Sequence, residues 1–284
     1  EIVEKGSLNE SQVEVLKVSI AVLNAQQSAL KVSANSAYGS MGAQNGFIPL
    51  VVGAASVTAM GRMLITKAIQ YILDKYKTPE TGKAKLVYGD TDSSMITFIG
   101  KDTEQSFELG DRISKQVSHY LKTVLLQIDE NFSIECPSDN TKYRIDKYPR
   151  SKITELSDEL KIQIYRYDAN PINLQFENLY KRYLLLSKKR YVAYAVNRKG
   201  EIINTIKKGV VLARRDNSQY LRDSYKTIVG SILDNKPENQ VFYNLYDCIT
   251  KLFTRQIPDT HLIIYTGVKN IINYAKRKEK KQGR

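Results

Sequence analysis

Two carboxylates, Asp90 and Asp92, stand two residues apart in Tyr88-Gly89-Asp90-Thr91-Asp92-Ser93. In an extended chain, side chains at i and i+2 leave the same face, so both can converge on one point. Unscreened, they repel; a hard divalent cation between them removes that cost. Mg²⁺ suits the role, because it takes oxygen ligands, keeps several waters and bridges to substrate phosphates. The flanks, Lys85-Leu86-Val87-Tyr88 and Ser93-Ser94-Met95-Ile96-Thr97-Phe98, are rich in β-branched and aromatic residues and predict the arms of a hairpin. Gly89 is read as the residue that frees the turn. Taken alone, the string also reads as a solvated polar turn, since Gly and Asp are common there. The surrounding elements must decide.

A second constellation precedes it. From Glu10 to Leu30 the chain lacks Gly and Pro, and Val13, Leu16, Ile20, Leu23 and Leu30 recur near a helical period. If that helix continues, Lys31, Asn35, Tyr38 and Gly42 occupy one face. A cation, an amide, a ring and a side-chain-free gap suit a nucleotide: phosphate neutralisation, hydrogen bonding, stacking and room for a base pair.

Lys31-Val32-Ser33-Ala34-Asn35-Ser36-Ala37-Tyr38-Gly39, followed by the Tyr88–Ser93 string, resembles motifs B and C of the family B DNA polymerases. Further matches follow in order. Ala54 through Arg62 resembles the helix between those motifs. Leu174-Gln175-Phe176-Glu177-Asn178-Leu179-Tyr180 resembles the family's L-x-F-E-K-x-Y strand, and Lys188-Lys189-Arg190-Tyr191 its K-K-x-Y motif. Gly209 through Asn217 resembles the approach to the thumb. The motifs resemble those of eukaryotic replicative polymerases and of large DNA viruses, and Lys, Asn, Ile and Tyr usage leans toward a virus.

The resemblance implies roles residue by residue. Lys31 contacts the triphosphate of the incoming dNTP and is a candidate to protonate the leaving pyrophosphate. Asn35 lies beside the nascent base pair, with Tyr38 and Gly39 checking its minor-groove edge. Asp92 ligates both catalytic Mg²⁺ ions, for which Mn²⁺ is a substitute; Asp90 is a weaker or outer participant and Glu177 a supporting carboxylate. Lys188, Lys189, Arg190 and Tyr191 track the primer–template DNA, and Arg214 and Arg215 either contact it or brace the palm–thumb joint through Asp216. The implied reaction is in-line attack of a primer 3′-hydroxyl on the α-phosphate, with two metal ions stabilising the attacking and leaving oxygens.

Composition is compatible with this. Across 284 residues, 43 Lys and Arg face 30 Asp and Glu, a net charge of +13 that fits a polyanionic partner. A basic membrane-surface protein is the competing explanation, but no apolar run of membrane-spanning length and no signal-peptide pattern occur. Cys136 and Cys248 are far apart and suggest neither a disulfide framework nor a zinc site, so a reducing compartment is the natural setting; the resemblance implies an intracellular one, a nucleus or a viral replication site in the host cell.

The expected fold is a mixed α/β architecture of the α+β type: a polymerase palm with an antiparallel β-sheet, a helical fingers arm and a mostly helical thumb. Residues 1–80 are expected to form the fingers arm and palm-returning helix, 81–216 the palm with the motif C hairpin and the K-K-x-Y motif, and 217–284 the thumb. Helices are expected over Ala54–Tyr76 and Glu104–Asp129, and strands over Ile172–Phe176, Tyr183–Val196 and Glu201–Ile206. Residues 131–170, polar and punctuated by prolines, read as an insertion or surface excursion.

Nothing in Glu1–Leu30 resembles the family's motif A, whose Asp is a principal metal ligand. The chain is therefore expected to be part of a larger right-hand polymerase, partnered by the amino-terminal portion with motif A and an exonuclease, and by a processivity factor. In isolation it is expected to be inactive. One rival is a non-catalytic DNA-binding subunit or scaffold descended from a polymerase. Another, an RNA-templated polymerase, shares only the turn carboxylates and leaves the Asn35–Gly39 helix unexplained.

Overall fold

The computed structural model describes residues 9–46, 48–213 and 217–264. These fall into two compact units. One holds the described residues through Tyr71 together with Thr91–Met95; the other holds Ile72–Asp90 and the described residues from Ile96 onward.

In the first unit, α1 (Glu10–Gly42) starts with a capping box. Asn9 accepts the Gln12 amide N–H at 2.8 Å and donates its own to Gln12 Oε1 at 3.0 Å. The helix runs through the whole Lys31–Gly39 string. Its periodic apolar residues do not form a buried face: Leu23 is 63% exposed and Leu30 72%. Periodicity here specifies the helix but not its burial. A turn closed by the Leu50 amide on the Met41 carbonyl leads to α2 (Val51–Lys75), which agrees with the expected second helix.

The second unit is organised on α3 (Thr103–Leu126). Asp102 caps its start by accepting the Gln105 N–H, and Gln127, in the left-handed region at φ 57°, ends it. Leu109, Ile113, Val117 and Leu121 form its buried stripe. Ahead of it, β1 (Ala84–Asp90) and β2 (Ser93–Phe98) form the expected hairpin.

Residues 131–170 correct the sequence reading. Two short antiparallel strands, β3 (Ser133–Glu135) and β4 (Lys142–Arg144), a 3₁₀ turn (Arg150–Glu155) and α4 (Asp158–Ala169) enclose a core of their own. Ile134, Cys136, Ile145, Tyr148, Ile153, Leu156, Ile164 and Tyr167 are buried in it. The polar composition belongs to its rim, where Arg144–Asp146, Arg150–Asp168 and Lys152–Asp139 pair.

The segment after α4 also differs. Ile172–Phe176 is irregular rather than a strand. The Leu174 N–H is taken by Ser118 Oγ at 2.8 Å, and the Phe176 ring lies edge-on to Phe107, so this segment is held by α3 side chains instead of a ladder. The chain then enters a meander of β5 (Leu179–Ser187), β6 (Arg190–Val196) and β7 (Ile202–Lys208), with β6 central. In place of one palm sheet, the described residues form three small antiparallel sheets. Helix α5 (Gln219–Leu233) closes the meander through Val229 and Leu233 on Val192 and Val210. Helices α6 (Glu238–Phe253) and α7 (Asp259–Leu262) follow, and the Tyr220 hydroxyl donates to the Cys248 carbonyl to join α5 and α6.

Candidate active site and nucleic-acid interface

Local backbone chemistry sets the carboxylate turn. The positive φ, 54°, falls on Thr91, and Gly89 lies inside β1. The turn is thus two residues, Thr91-Asp92, and the sequence reading placed the special backbone two positions too early. Asp90 ends β1 half-buried, whereas Asp92 is exposed on the turn.

Lys188 and Lys189 form the two-residue turn between β5 and β6, closed by Ser187 opposite Arg190. Lys189 takes φ 61°. Its amide N–H donates to Tyr88 Oη at 2.8 Å, and its Nζ reaches Asp90 Oδ1 at 2.7 Å. Gly209, at φ 60°, follows β7 beside this turn; a Cβ there would collide with the Lys189 carbonyl oxygen. Lys188 and Arg190 are exposed.

Tyr191, expected along the duplex, packs against the protein's own rings. It is only 7% exposed and stacks on Tyr183, with centroids 5.0 Å apart and planes at 30°. Tyr88 meets it edge-on at 6.3 Å. Tyr183 pairs with Ala193 and Leu185 with Tyr191, so the two rings are diagonal neighbours across the ladder. Burial pushes the Tyr191 hydroxyl above its ordinary pKa, followed by the negative charge of Asp90. Burial likewise raises Tyr183, and its Oη has no hydrogen-bond partner among the described residues. Tyr183 and Gly209 were missed as site residues; the recurrence of tyrosine at positions 180, 183, 191 and 194 was the available signal for the first.

Glu177 is exposed in the irregular segment before β5, near enough to add to the upward shift of Tyr191. Lys31 and Asn35 are exposed on α1, and Tyr38 is at 36%. A Cβ on Gly39 would meet nothing within 4 Å, whereas one on Gly42 would touch Ala54 Cβ at 3.7 Å. An added Cβ thus fits at both positions, in open space at Gly39 and in ordinary van der Waals contact at Gly42. Arg214 and Arg215 lie outside the described residues.

For a divalent ion, the donor chemistry fits and the donor number falls short. Carboxylate oxygens are the hard ligands Mg²⁺ takes. Yet no three Asp, Glu, His or Cys side chains gather to hold a metal among the described residues, so Asp90, Asp92 and Glu177 are not drawn into one cluster. The reason is local: Asp90 is directed to Lys189, and Glu177 sits on a segment docked to α3.

Comparison with known proteins supplies a frame for this geometry. The model of the family described as DNA polymerase family B matches residues 5–135 and 141–282. It thus spans the 131–170 region apart from residues 136–140. DNA polymerase 120R of Invertebrate iridescent virus 3 is 35% identical over 78% of this chain and 15% of its own length. DNA polymerase 037L of Invertebrate iridescent virus 6 is 29% identical over 85% of this chain and 16% of its own. The DNA polymerase delta catalytic subunit of Schizosaccharomyces pombe is 34% identical over 86% of this chain and 18% of its own. The chain spans less than a fifth of the length of these curated relatives.

Proposed function

The chain belongs to DNA polymerase family B, and from that premise we propose that it contributes the nucleotide-selecting helix, a metal-binding carboxylate and a duplex grip to template-directed DNA synthesis. The observation that carries this reading is the docking of the Lys188–Arg190 turn on the carboxylate hairpin through Lys189 and Asp90. It brings a phosphate-gripping surface to the element that bears the catalytic carboxylates.

In this reading Asp92, exposed on its turn, holds the divalent ions together with a carboxylate from elsewhere in the polymerase. Two Mg²⁺ ions, or Mn²⁺ in their stead, supply electrostatic stabilisation of the attacking 3′-oxygen and the leaving pyrophosphate oxygen. Lys31 neutralises the dNTP triphosphate and delivers a proton to pyrophosphate. Asn35, Tyr38 and Gly39 meet the nascent base pair. Glu177 supports the site electrostatically. Lys188 and Arg190 neutralise backbone phosphates of the primer–template, Arg214 and Arg215 add to that track, and Tyr191 holds the gripping turn in shape from beneath. Residues 1–80, 81–216 and 217–284 act as fingers arm, palm and thumb. The reaction takes place where such polymerases copy DNA, in a nucleus or at a viral replication site.

The test is Asp92→Asn in the full-length polymerase that contains this segment. Synthesis falls by at least a thousandfold, on the scale of losing a principal catalytic group, while affinity for primer–template stays within about twofold. Unchanged synthesis would sink the proposal. The second reading, a non-catalytic DNA-binding subunit or scaffold descended from a polymerase, predicts that unchanged rate. The isolated chain is expected to bind duplex in a salt-sensitive way without extending a primer.

A further inference from the structure

We propose that the cleft between α3 and residues 146–173 binds an oligophosphate anion, such as pyrophosphate, through Lys115, Lys122 and Asn170. The proposal goes beyond the polymerase reading and does not depend on it, because no residue of the candidate active site lines this cleft.

The cleft has a volume of about 270 Å³. Lys115, His119 and Lys122 line it from α3, at spacings that put them on one helix face. Asp146, Tyr167 and residues 170–173 line it from the other side. Its acceptors are already spent. Both Asp146 oxygens are held by the Arg144 guanidinium, at 2.5 and 2.7 Å. The Glu130 carbonyl, 2.9 Å from His119 Nε2, can only accept, so that nitrogen donates. In the neutral ring Nδ1 then accepts the Tyr167 hydroxyl proton, at 2.8 Å. Asn170 Oδ1 takes the Ile172 N–H at 3.1 Å, which leaves its NH₂ group unengaged.

The unspent groups are donors, and two of them are charged. Lys122 is half-buried, with its Nζ 5.0 Å from the centre of the Tyr167 ring. Among the described residues no carboxylate lies within ion-pair distance of Lys122 or of the exposed Lys115. With Asp146 neutralised by Arg144, the two ammonium charges stand uncompensated. Partial burial of a cation without a counter-charge is costly, and a bound anion removes that cost through charge-assisted hydrogen bonds.

Size and lining narrow the class. Seven residues on a helix separate Lys115 from Lys122 by about 10.5 Å along the axis, a span that two or more linked phosphates bridge better than one. The cleft is at the small end of ligand sites. Lys122 and the His119 ring, whose centroid is 5.7 Å away, already occupy the Tyr167 ring, so it offers no open face for a nucleobase. Phosphate, and not base, is therefore what the cleft recognises.

The chain contains two histidines, His119 in the cleft and His261 in α7, so imidazole NMR reads the site directly. The full chain is titrated with sodium pyrophosphate in EDTA, which keeps divalent ions from carrying the ligand to the carboxylates. The His119 signals are expected to shift saturably while those of His261 stay in place, with calorimetry giving the same dissociation constant. Lys115→Gln and Lys122→Gln are each expected to weaken binding by about tenfold, the scale of one charge-assisted hydrogen bond. Lys122→Arg, which keeps a cation over the Tyr167 ring, retains it. Lys115 is exposed, so its variant tests the site even if Lys122→Gln unfolds the chain. Inorganic triphosphate and dATP are expected to bind alike. A motionless His119 at millimolar pyrophosphate, equal shifts of both histidines, undiminished affinity in Lys115→Gln, or tighter binding of dATP than of triphosphate would overturn the proposal.

Discussion

Gly209 illustrates how much can depend on one missing methyl group. Its φ of 60° is accessible to an L-residue only at a cost, and a Cβ would run into the Lys189 carbonyl. Gly209→Ala is expected to destabilise the chain by roughly 1–3 kcal/mol in urea unfolding, with the loss centred on the β5–β6 turn. Gly110 poses a milder version of the same problem. A Cβ there would lie 2.7 Å from the Phe176 ring, so Gly110→Ala pushes the segment carrying Glu177 off α3. These positions show why the K-K-x-Y string alone is an incomplete description of its hairpin: the groups that shape it come from Tyr88 and Gly209, far away in sequence.

Among the elements, residues 131–170 have the clearest independent energetics. Ile164 is fully buried against Ile134 and Ile145. Ile164→Ala is expected to cost about 2–5 kcal/mol, the transfer term plus the cavity left behind, measurable by chemical denaturation. Ion pairs on the rim make the same element sensitive to acid. The Lys152 ammonium holds Asp139 well below the usual carboxylate range. At Asp146 burial pushes the carboxyl upward, but the bidentate Arg144 bond and the charges of His119, Arg144 and Lys147 outweigh it and leave the pKa lowered. A carboxylate depressed on folding contributes stability that is complete above its unfolded pKa, near 4, and is lost as pH falls through the folded value. The melting temperature is therefore expected to hold from neutral pH to about 5 and to fall below about 4. Lys152→Gln is expected to flatten that fall, as seen by calorimetry across the range.

At the scale of the molecule, charge and burial are unevenly distributed. The second unit carries the buried clusters, whereas α1 exposes Leu23, Leu30 and Val32. Amide exchange is expected to be slowest in β6 and α3, each with several residues almost inaccessible to water, and markedly faster along α1. The net charge of +13 acts on the whole surface, so duplex association is expected to weaken steeply between 50 and 200 mM salt, by anisotropy titration. No helix among the described residues is long and apolar enough to cross a membrane.

Much of this was determined by sequence alone, because local rules suffice where neighbours along the chain do the work. Helical period and the absence of breakers from Glu10 to Leu30 specify α1, and alternation and turn chemistry specify the β1–β2 hairpin; the run Tyr183–Val196, read as one strand, is instead two strands divided at Lys188-Lys189. The ordered motifs specify the family. Tertiary structure decided what depends on distant partners. It showed that the periodic stripe of α1 is exposed, because no local pattern states what lies opposite. It turned polar residues 131–170 into a core, because eight buried positions spread over strands, a 3₁₀ turn and a helix have no common period. It left Ile172–Phe176 irregular, because α3 side chains took the bonds a ladder would have used. It also tied Lys189 to Tyr88 and Asp90, since no local pattern names partners about one hundred residues earlier.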